Sequence, residues 1–160
     1  ARQPYPLSWD EQTALLNELP SHLVNMVLFK VNTGCREQEV CGLKWEWEVP
    51  VLELGTSIFI IPGQCVKNRE DRVVILNTVA KSVVDSLRGV HPEYVFTYRG
   101  HRVWNINNNA WRKAKVRAGL PGIRVHDLKH TIGRRLRAAG VSFEDRQDLL
   151  GHKSGRITTR

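Results

Sequence analysis

The sequence predicts a mainly helical α+β domain that contains a small three-stranded antiparallel sheet and spans residues 1–160. Apolar residues recur at helical spacing over most of the chain. Between Val49 and Leu76 the pattern changes to β-branched residues interrupted by turn signals, which is typical of short strands. A chain of this length buries enough surface to form one core without a disulfide or a metal ion.

Three helices are predicted at the start of the chain. Ser8 and Glu11 form a capping box that opens the first helix. The second carries an apolar stripe and ends at Gly34, and the third presents Arg36 and Glu39, three residues apart, on one face. These helices are predicted over residues 8–19, 21–33 and 36–43.

The predicted strands and the later helices follow in order. The strands span residues 49–54, 57–61 and 72–76, and Lys67 lies in the polar turn before the last strand. Four further helices are predicted over residues 79–87, 106–118, 128–139 and 142–150, and Ser142 caps the last one. In the third of these helices, the stripe expected to face the core consists of Leu128, Ile132, Leu136 and Ala139.

The charge distribution points to an anionic partner. The chain carries a formal net charge of +8, and residues 101–160 hold 14 Lys and Arg against 4 Asp and Glu. Three cysteines, Cys35, Cys41 and Cys65, lack the close spacing of a zinc ribbon, which favours a reducing compartment. No apolar run reaches the roughly 18 residues of a membrane span. We therefore expect a cytoplasmic protein without a membrane segment.

Four short motifs contain the candidate functional residues. They are Thr33-Gly34-x-Arg36-x-x-Glu39, the turn that contains Lys67, the segment His126-x-x-Lys129-His130, and Leu149-Leu150-Gly151-His152. Each motif alone also fits an ordinary role: an exposed ion pair, a solubility lysine, a capping or core histidine, and a histidine that binds the last carbonyls of a helix. Their order along the chain distinguishes the functional interpretation from these alternatives.

Taken together, the ordered motifs resemble the catalytic domain of a tyrosine recombinase of the phage integrase type. The resemblance implies site-specific DNA recombination, such as integration or excision, through a 3′-phosphotyrosine intermediate and without a cofactor. It implies that Lys67 is the general acid and that Glu39 and His130 support the site. The residues that it assigns to stabilising charge on the phosphate are Arg36, His126, Lys129 and His152. Lys129 stands where the common motif has an arginine, and a lysine lacks the bidentate fork.

The resemblance also implies what lies outside this sequence. The family's tyrosine follows its last histidine by nine residues, which corresponds to position 161. Tyr5, Tyr94 and Tyr98 all precede that histidine, so none is assigned as the nucleophile. We expect a catalytic domain truncated before its tyrosine, without the N-terminal core-binding domain, and therefore inactive. The full-length protein is expected to be a tetramer on DNA and this fragment a monomer.

Double-stranded DNA is the expected partner. The candidate contacts to its backbone are Arg112, Lys113, Lys115, Arg134 and Arg135. A DNA-binding module without catalysis is the main alternative, and covalent trapping of DNA by an extended chain distinguishes the two. A metal-dependent nuclease that uses the histidines is a weaker alternative, because the acidic cluster of such sites is missing and no metal is predicted. The expected source is a bacterial prophage or another mobile element.

Overall fold

A computed structural model describes residues 3–142 and 144–146 of the chain. Its helices are α1 (Trp9–Glu18), α2 (Ser21–Thr33), α3 (Glu37–Cys41), α4 (Thr78–Ser86), α5 (Asn109–Arg117) and α6 (Asp127–Ala138). Its strands are β1 (Glu48–Val51), β2 (Thr56–Ile61), β3 (Arg72–Ile75), β4 (Thr97–Tyr98) and β5 (His101–Arg102). The predicted class is confirmed: the fold is mainly helical with a small antiparallel sheet.

Helix α1 begins with the predicted capping box. The backbone N–H of Glu11 donates to Ser8 Oγ at 3.1 Å, and the backbone N–H of Ser8 donates to the Glu11 carboxylate at 2.9 Å. This reciprocal pair satisfies two of the N–H groups that a helix start leaves without a partner. The prediction that α1 starts at Ser8 is therefore confirmed.

Helix α2 lies at the centre of the core and contacts both α4 and α6. Leu23, Met26, Val27 and Phe29 are fully buried on it. It ends at Gly34, whose φ of 73° is left-handed, a conformation that glycine adopts without steric strain. This turn directs the chain into α3, so the end of α2 determines where Arg36 lies.

The three-stranded sheet has the order β1-β2-β3, with antiparallel neighbours. The first strand is shorter than predicted, because Leu52–Leu54 form a 3-10 turn that ends at the left-handed Gly55. Leu52 and Leu54 are both exposed, so no core contact holds them in the sheet. The two-stranded hairpin of β4 and β5 was not predicted, and its strands have only two residues each.

Two helices differ from the prediction in extent or in orientation. Helix α5 begins after Asn108 rather than at Ile106, because the Asn108 side chain accepts from the backbone N–H of Trp111. On α6, Leu128 is buried and Ile132 and Leu136 are half-buried, whereas Ala139 is exposed, so only the first part of the predicted stripe is covered within the described residues. The buried residues of α6 are Asp127, Leu128, Lys129 and Thr131.

The N-terminal segment explains which face of α6 is covered. The backbone N–H of Tyr5 donates to Asp127 at 3.1 Å, and that of Leu7 donates to Thr131 Oγ1 at 3.0 Å.

The last predicted helix begins with its predicted cap, because Ser142 Oγ accepts from the backbone N–H of Asp145. Most of the helix predicted after it, together with His152, falls outside the described residues. Over the described part of the chain, no helix is long and apolar enough to cross a membrane.

Candidate active site

Arg36 lies immediately before α3, where Glu39 fixes it at two points. The backbone N–H of Arg36 donates to Glu39 Oε1 at 2.9 Å, and its guanidinium Nη1 donates to Oε2 at 3.2 Å. The side chain of Glu39 is 3% exposed and that of Arg36 is 26% exposed. One edge of the guanidinium is therefore held by a buried carboxylate while part of the side chain remains accessible to an anion.

Arg72, at the start of β3, joins this pair from the sheet. Its Nε lies 3.3 Å from Glu39 Oε1, and its Nη2 donates to the backbone carbonyl of Thr33 at 3.3 Å. Arg72 is only 2% exposed. A single buried carboxylate therefore lies between two guanidinium groups, one from α3 and one from the sheet.

Lys30, on α2, contributes a third cation. It is 1% exposed, and its Nζ donates to the backbone carbonyl of Cys35, the residue before Arg36. Burial lowers the Lys30 pKa to about 8, and the positive charge of Arg72 acts in the same direction, whereas Glu39 opposes it. The ammonium thus supports the turn that presents Arg36.

Lys129, in the first turn of α6, contributes the fourth cation. It is 5% exposed. Its pKa falls to about 8, first because it is buried and then because Arg36 and Arg72 are close. Arg36 and Lys129, from the first and third predicted motifs, are therefore close enough for their charges to interact, although they are far apart in the sequence.

These residues form a cluster with an excess of positive charge, which we call the cationic cluster: Lys30, Arg36, Arg72 and Lys129. The buried carboxylate that pairs with it is Glu39. The neighbouring Glu37 also accepts hydrogen bonds from the backbone N–H groups of Ile106 and Asn107. Buried cations are costly unless an anion neutralises them. The arrangement is therefore suited to a ligand that carries negative charge.

The two predicted histidines lie beside each other at the start of α6. The rings of His126 and His130 are 4.9 Å apart in an edge-to-face arrangement. Burial lowers the pKa of both, and the positive charge of Lys129 lowers both further. At neutral pH these imidazoles are therefore mainly uncharged, so each can accept or donate a hydrogen bond.

Lys67 lies in the exposed turn between β2 and β3, as predicted. That turn is tightly built: the Gly63 N–H donates to Asp71 Oδ1 at 2.7 Å, and a β-carbon on Gly63 would lie 2.5 Å from the Arg69 carbonyl oxygen. The role of Lys67 as a general acid stays a prediction. So does the role of His152, which lies outside the described residues.

The predicted DNA contacts have different environments. Arg112, Lys113 and Arg134 are exposed. Lys115 is half-buried and donates to the backbone carbonyl of Ile123 at 2.8 Å, and its role in DNA binding stays a prediction. Arg135 donates to Gln12 at 2.7 Å and lies over the Trp9 ring at 3.5 Å, so its guanidinium joins α6 to α1.

Lys30 and Arg72 were missed by the sequence analysis. The sequence contains a signal for each: Lys30 interrupts the apolar stripe of α2, and Arg72 shares the buried face of β3 with Val74.

The three tyrosines make contacts outside the cationic cluster. Tyr5 donates to Glu11, Tyr98 stacks on His22, and Tyr94 packs against His91. Among the described residues, no group of three or more His, Cys, Asp or Glu could hold a metal ion.

We compared the sequence and the fold with those of known proteins. The integrase of Salmonella phage P22 is 28% identical over 94% of this chain, and the chain spans 41% of that protein's length. XerA recombinase superposes with a TM-score of 0.72 at 26% identity, over 96% of this chain and 58% of that one.

A structure of lambda integrase, a dimer bound to a COC' core site, has the same fold. It superposes with a TM-score of 0.75 at 18% identity, over 97% of this chain and 47% of that one. The family model described as the phage integrase family matches residues 7–160, which include all four predicted motifs. The chain therefore belongs to the phage integrase family.

Proposed function

We propose that this chain is the catalytic domain of a site-specific tyrosine recombinase, which cleaves and rejoins DNA through a 3′-phosphotyrosine. The observation that carries this proposal is the cationic cluster, in which four Lys and Arg side chains converge around Glu39. A phosphodiester carries negative charge, and that charge grows on its oxygens when a nucleophile attacks the phosphorus. Cations that are already in position stabilise this state without reorganisation.

Each residue of the cluster has a distinct part in the proposed reaction. Arg36 binds the nonbridging oxygens, since Glu39 fixes the orientation of its guanidinium. Lys129 adds a point charge from α6. Lys30 and Arg72 are positioning residues: they bind the backbone carbonyls of Cys35 and Thr33, which flank the turn before Arg36.

We propose that a tyrosine at position 161 of the parent protein attacks the phosphorus. The bond from phosphorus to the 5′ oxygen breaks, and the Lys67 ammonium donates its proton to that leaving oxygen. The tyrosine releases its proton to solvent as it attacks, and His126 stabilises the charge on the phosphate. The covalent intermediate retains the energy of the phosphodiester bond, and a 5′ hydroxyl then displaces the tyrosine.

Covalent trapping tests this proposal. The chain, extended through the tyrosine, is incubated with a nicked duplex that carries the attachment site of the element encoding it. The expected result is a protein–DNA adduct that survives denaturation. Replacing Arg36 with Gln is expected to lower adduct formation by at least about 100-fold, the scale of one transition-state contact. Glu46→Gln, an exposed carboxylate, serves as the control and should leave the yield unchanged.

A DNA-binding module without catalysis is the second candidate. It is favoured by Lys129, which supplies charge but not the bidentate geometry of an arginine. The same experiment separates the two functions. An extended chain that shifts the duplex but forms no adduct, even when Lys129 is replaced by Arg, would support the second candidate.

We further propose the setting in which the parent protein acts. It recombines double-stranded DNA as a tetramer in the bacterial cytoplasm, encoded by a prophage or another mobile element, and its P22 relative is a phage protein. This chain alone is expected to sediment as a monomer, both free and on a short duplex. A stable tetramer of the chain alone would contradict that expectation.

A further inference from the structure

A long segment on one side of the candidate site contains no carboxylate. Between Glu93 and Asp127, the sequence has no Asp or Glu. The same segment carries seven cations: Arg99, Arg102, Arg112, Lys113, Lys115, Arg117 and Arg124. A stretch of this kind has no internal anion to neutralise it, which is typical of a surface that binds a polyanion.

Part of this segment runs antiparallel along α3, the helix that follows Arg36. At the C-terminal end of α3, which is the end away from Arg36, a β-carbon on Gly42 would lie 3.2 Å from Arg102 Nη2. In the middle, Gln38 donates to the backbone carbonyl of Trp104 at 3.2 Å. At the near end, Glu37 accepts from the backbone N–H of Asn107 at 2.9 Å. Residues 102–107 are therefore held against the element that positions Arg36.

Arg102 and Trp104 form an unusual pair within this loop. The Arg102 guanidinium lies 3.9 Å from the centre of the Trp104 ring and 5.3 Å from that of Tyr94. Its Nε is buried and has no hydrogen-bond partner among the described residues. Trp104 itself is 64% exposed. Stacking holds the guanidinium flat, so its outer N–H groups point along the plane in a fixed direction.

Other arginines on the surface show the usual alternative. Arg88 is bound by Glu48 and Asp85, and Arg117 by Glu18. Over residues 3–142 and 144–146, no ion pair of Arg102 with a carboxylate is found. Arg102 is thus an oriented cation whose counter-ion the described part of the protein does not supply.

We propose that Arg102 and Trp104 bind the DNA backbone beside the phosphate that Arg36 holds. The inference deepens the proposed function and rests on it. Helix α3 has five residues, so Gly42, which packs against Arg102, lies roughly 9 Å further along its axis than Arg36. The contact is therefore assigned to a phosphate near the one that Arg36 holds. Arg102 binds the phosphate, and Trp104 packs against the adjoining sugar.

The test measures binding of the 160-residue chain to a fluorescent 20-base-pair duplex of arbitrary sequence, over a range of salt concentrations. Arg102→Gln is expected to weaken binding about fivefold and to reduce the slope of log affinity against log salt by about 0.9, the value for one phosphate. Trp104→Ala is expected to weaken binding several-fold with no change in slope, because an apolar contact releases no counter-ion.

Arg99→Gln is the matched control. Arg99 lies in the same hairpin and also stacks on a tyrosine, Tyr98, at 5.0 Å, but it lies outside residues 102–107, the stretch that is held against α3. Equal losses for Arg99→Gln and Arg102→Gln would show that only net charge matters, and would overturn the proposal. Thermal melting of each variant confirms that it is folded. Arg102→Lys keeps the charge but not the planar stack. It should therefore recover the slope of log affinity against log salt but not the full affinity.

A further control separates this inference from the proposed function. If Arg36→Gln weakens binding while Arg102→Gln behaves like Arg99→Gln, the contact proposed for Arg102 is wrong and the proposed function stands. If the unmodified chain fails to bind the duplex at low salt, both proposals fail.

Discussion

At the scale of single residues, the candidate site depends on one buried carboxylate among several cations. Glu39 accepts hydrogen bonds from both the backbone and the side chain of Arg36 and lies 3.3 Å from Arg72. The pKa of Lys30 and of Lys129 falls to about 8, first because both side chains are buried and then because the neighbouring arginines are positively charged. The cluster is stable enough to form yet retains positive charge for a ligand.

Replacing Glu39 with Gln is expected to destabilise the fold strongly. The amide has nearly the same size, but it leaves Arg36 and Arg72 without a neutralising charge, which costs about 3–5 kcal/mol for a buried pair. The expected melting temperature is about 10 °C lower. Glu46→Gln is the control because its side chain is 71% exposed, and it should change stability by less than about 0.5 kcal/mol. A Glu39→Gln variant as stable as the control would contradict this role.

The lysines make DNA binding dependent on pH. Because the DNA backbone is anionic, it binds the charged form of Lys129, which loses its proton as pH rises through about 8. Duplex affinity of the unmodified chain should therefore fall between pH 7 and pH 9.5. Lys129→Arg should reduce the steepness of this fall, since an arginine stays charged over this range, whereas Lys30 in the cationic cluster still titrates near pH 8. Lys113→Arg, an exposed lysine on α5, is the control, and identical profiles for both variants would refute the assignment.

Without a ligand, the same lysines act on stability in the opposite direction. The folded pKa of Lys129 is lowered from 10.5 to about 8, so the unfolded chain binds the proton more tightly. Between these two pH values the unfolded state carries more protons, and the free energy of unfolding therefore rises with pH. Binding and stability thus change in opposite directions over this range.

At the scale of elements, the hairpin of β2 and β3 shows how a backbone contact determines where a side chain lies. The turn that carries Lys67 folds back on itself so closely that Gly63 meets the Arg69 carbonyl. A larger residue at position 63 would force the turn open. The hairpin, rather than any contact of Lys67 itself, therefore determines where that ammonium is presented.

Replacing Gly63 with Ala is expected to lower stability by about 1–3 kcal/mol, the usual cost of overpacking. It should also reduce covalent trapping in the extended chain, since Lys67 would move. Gly100→Ala is a suitable comparison: its φ of 80° is strained for alanine, but no atom lies within 4 Å of the added carbon. If Gly63→Ala reduces trapping no more than Gly100→Ala does, the turn does not position the general acid.

At the scale of the whole molecule, the cationic cluster joins four elements. Lys30 comes from α2, Arg36 precedes α3, Arg72 begins β3 and Lys129 lies on α6. Their mutual repulsion opposes the packing of these elements. An anion bound among them therefore stabilises the entire fold.

Sulfate is expected to raise the melting temperature of the chain. A ligand that binds only the folded state stabilises it by mass action, about 1.4 kcal/mol at ten times the dissociation constant. This corresponds to roughly 3–5 °C for a protein of this size. Sodium chloride at equal ionic strength is the salt control, and Arg36→Gln should lose most of the difference between the two salts. An undiminished difference in that variant would show that sulfate acts elsewhere.

Most of the local structure was predictable from the sequence. The Ser8 capping box and the Gly34 helix end depend on residues that are close in the sequence, so each can be recognised from its own segment. The same holds for Arg36 and Glu39, which are three residues apart and do form an ion pair. Local hydrogen bonding and side-chain spacing are sufficient for these predictions.

Tertiary structure alone decided which polar residues are buried together. Arg135, whose contact with DNA stays a prediction, binds Gln12 and lies over Trp9, and the buried face of α6 depends on Tyr5 and Leu7. Lys30 and Arg72 enter the site because α2 and β3 pack beside α3. The sequence by itself determined the elements, the order of the motifs and the excess of positive charge. Contacts between residues far apart in the sequence determined which cations are buried and which of them pair with Glu39. Burial depends on the complete packed fold, so the sequence pattern of one segment does not reveal it.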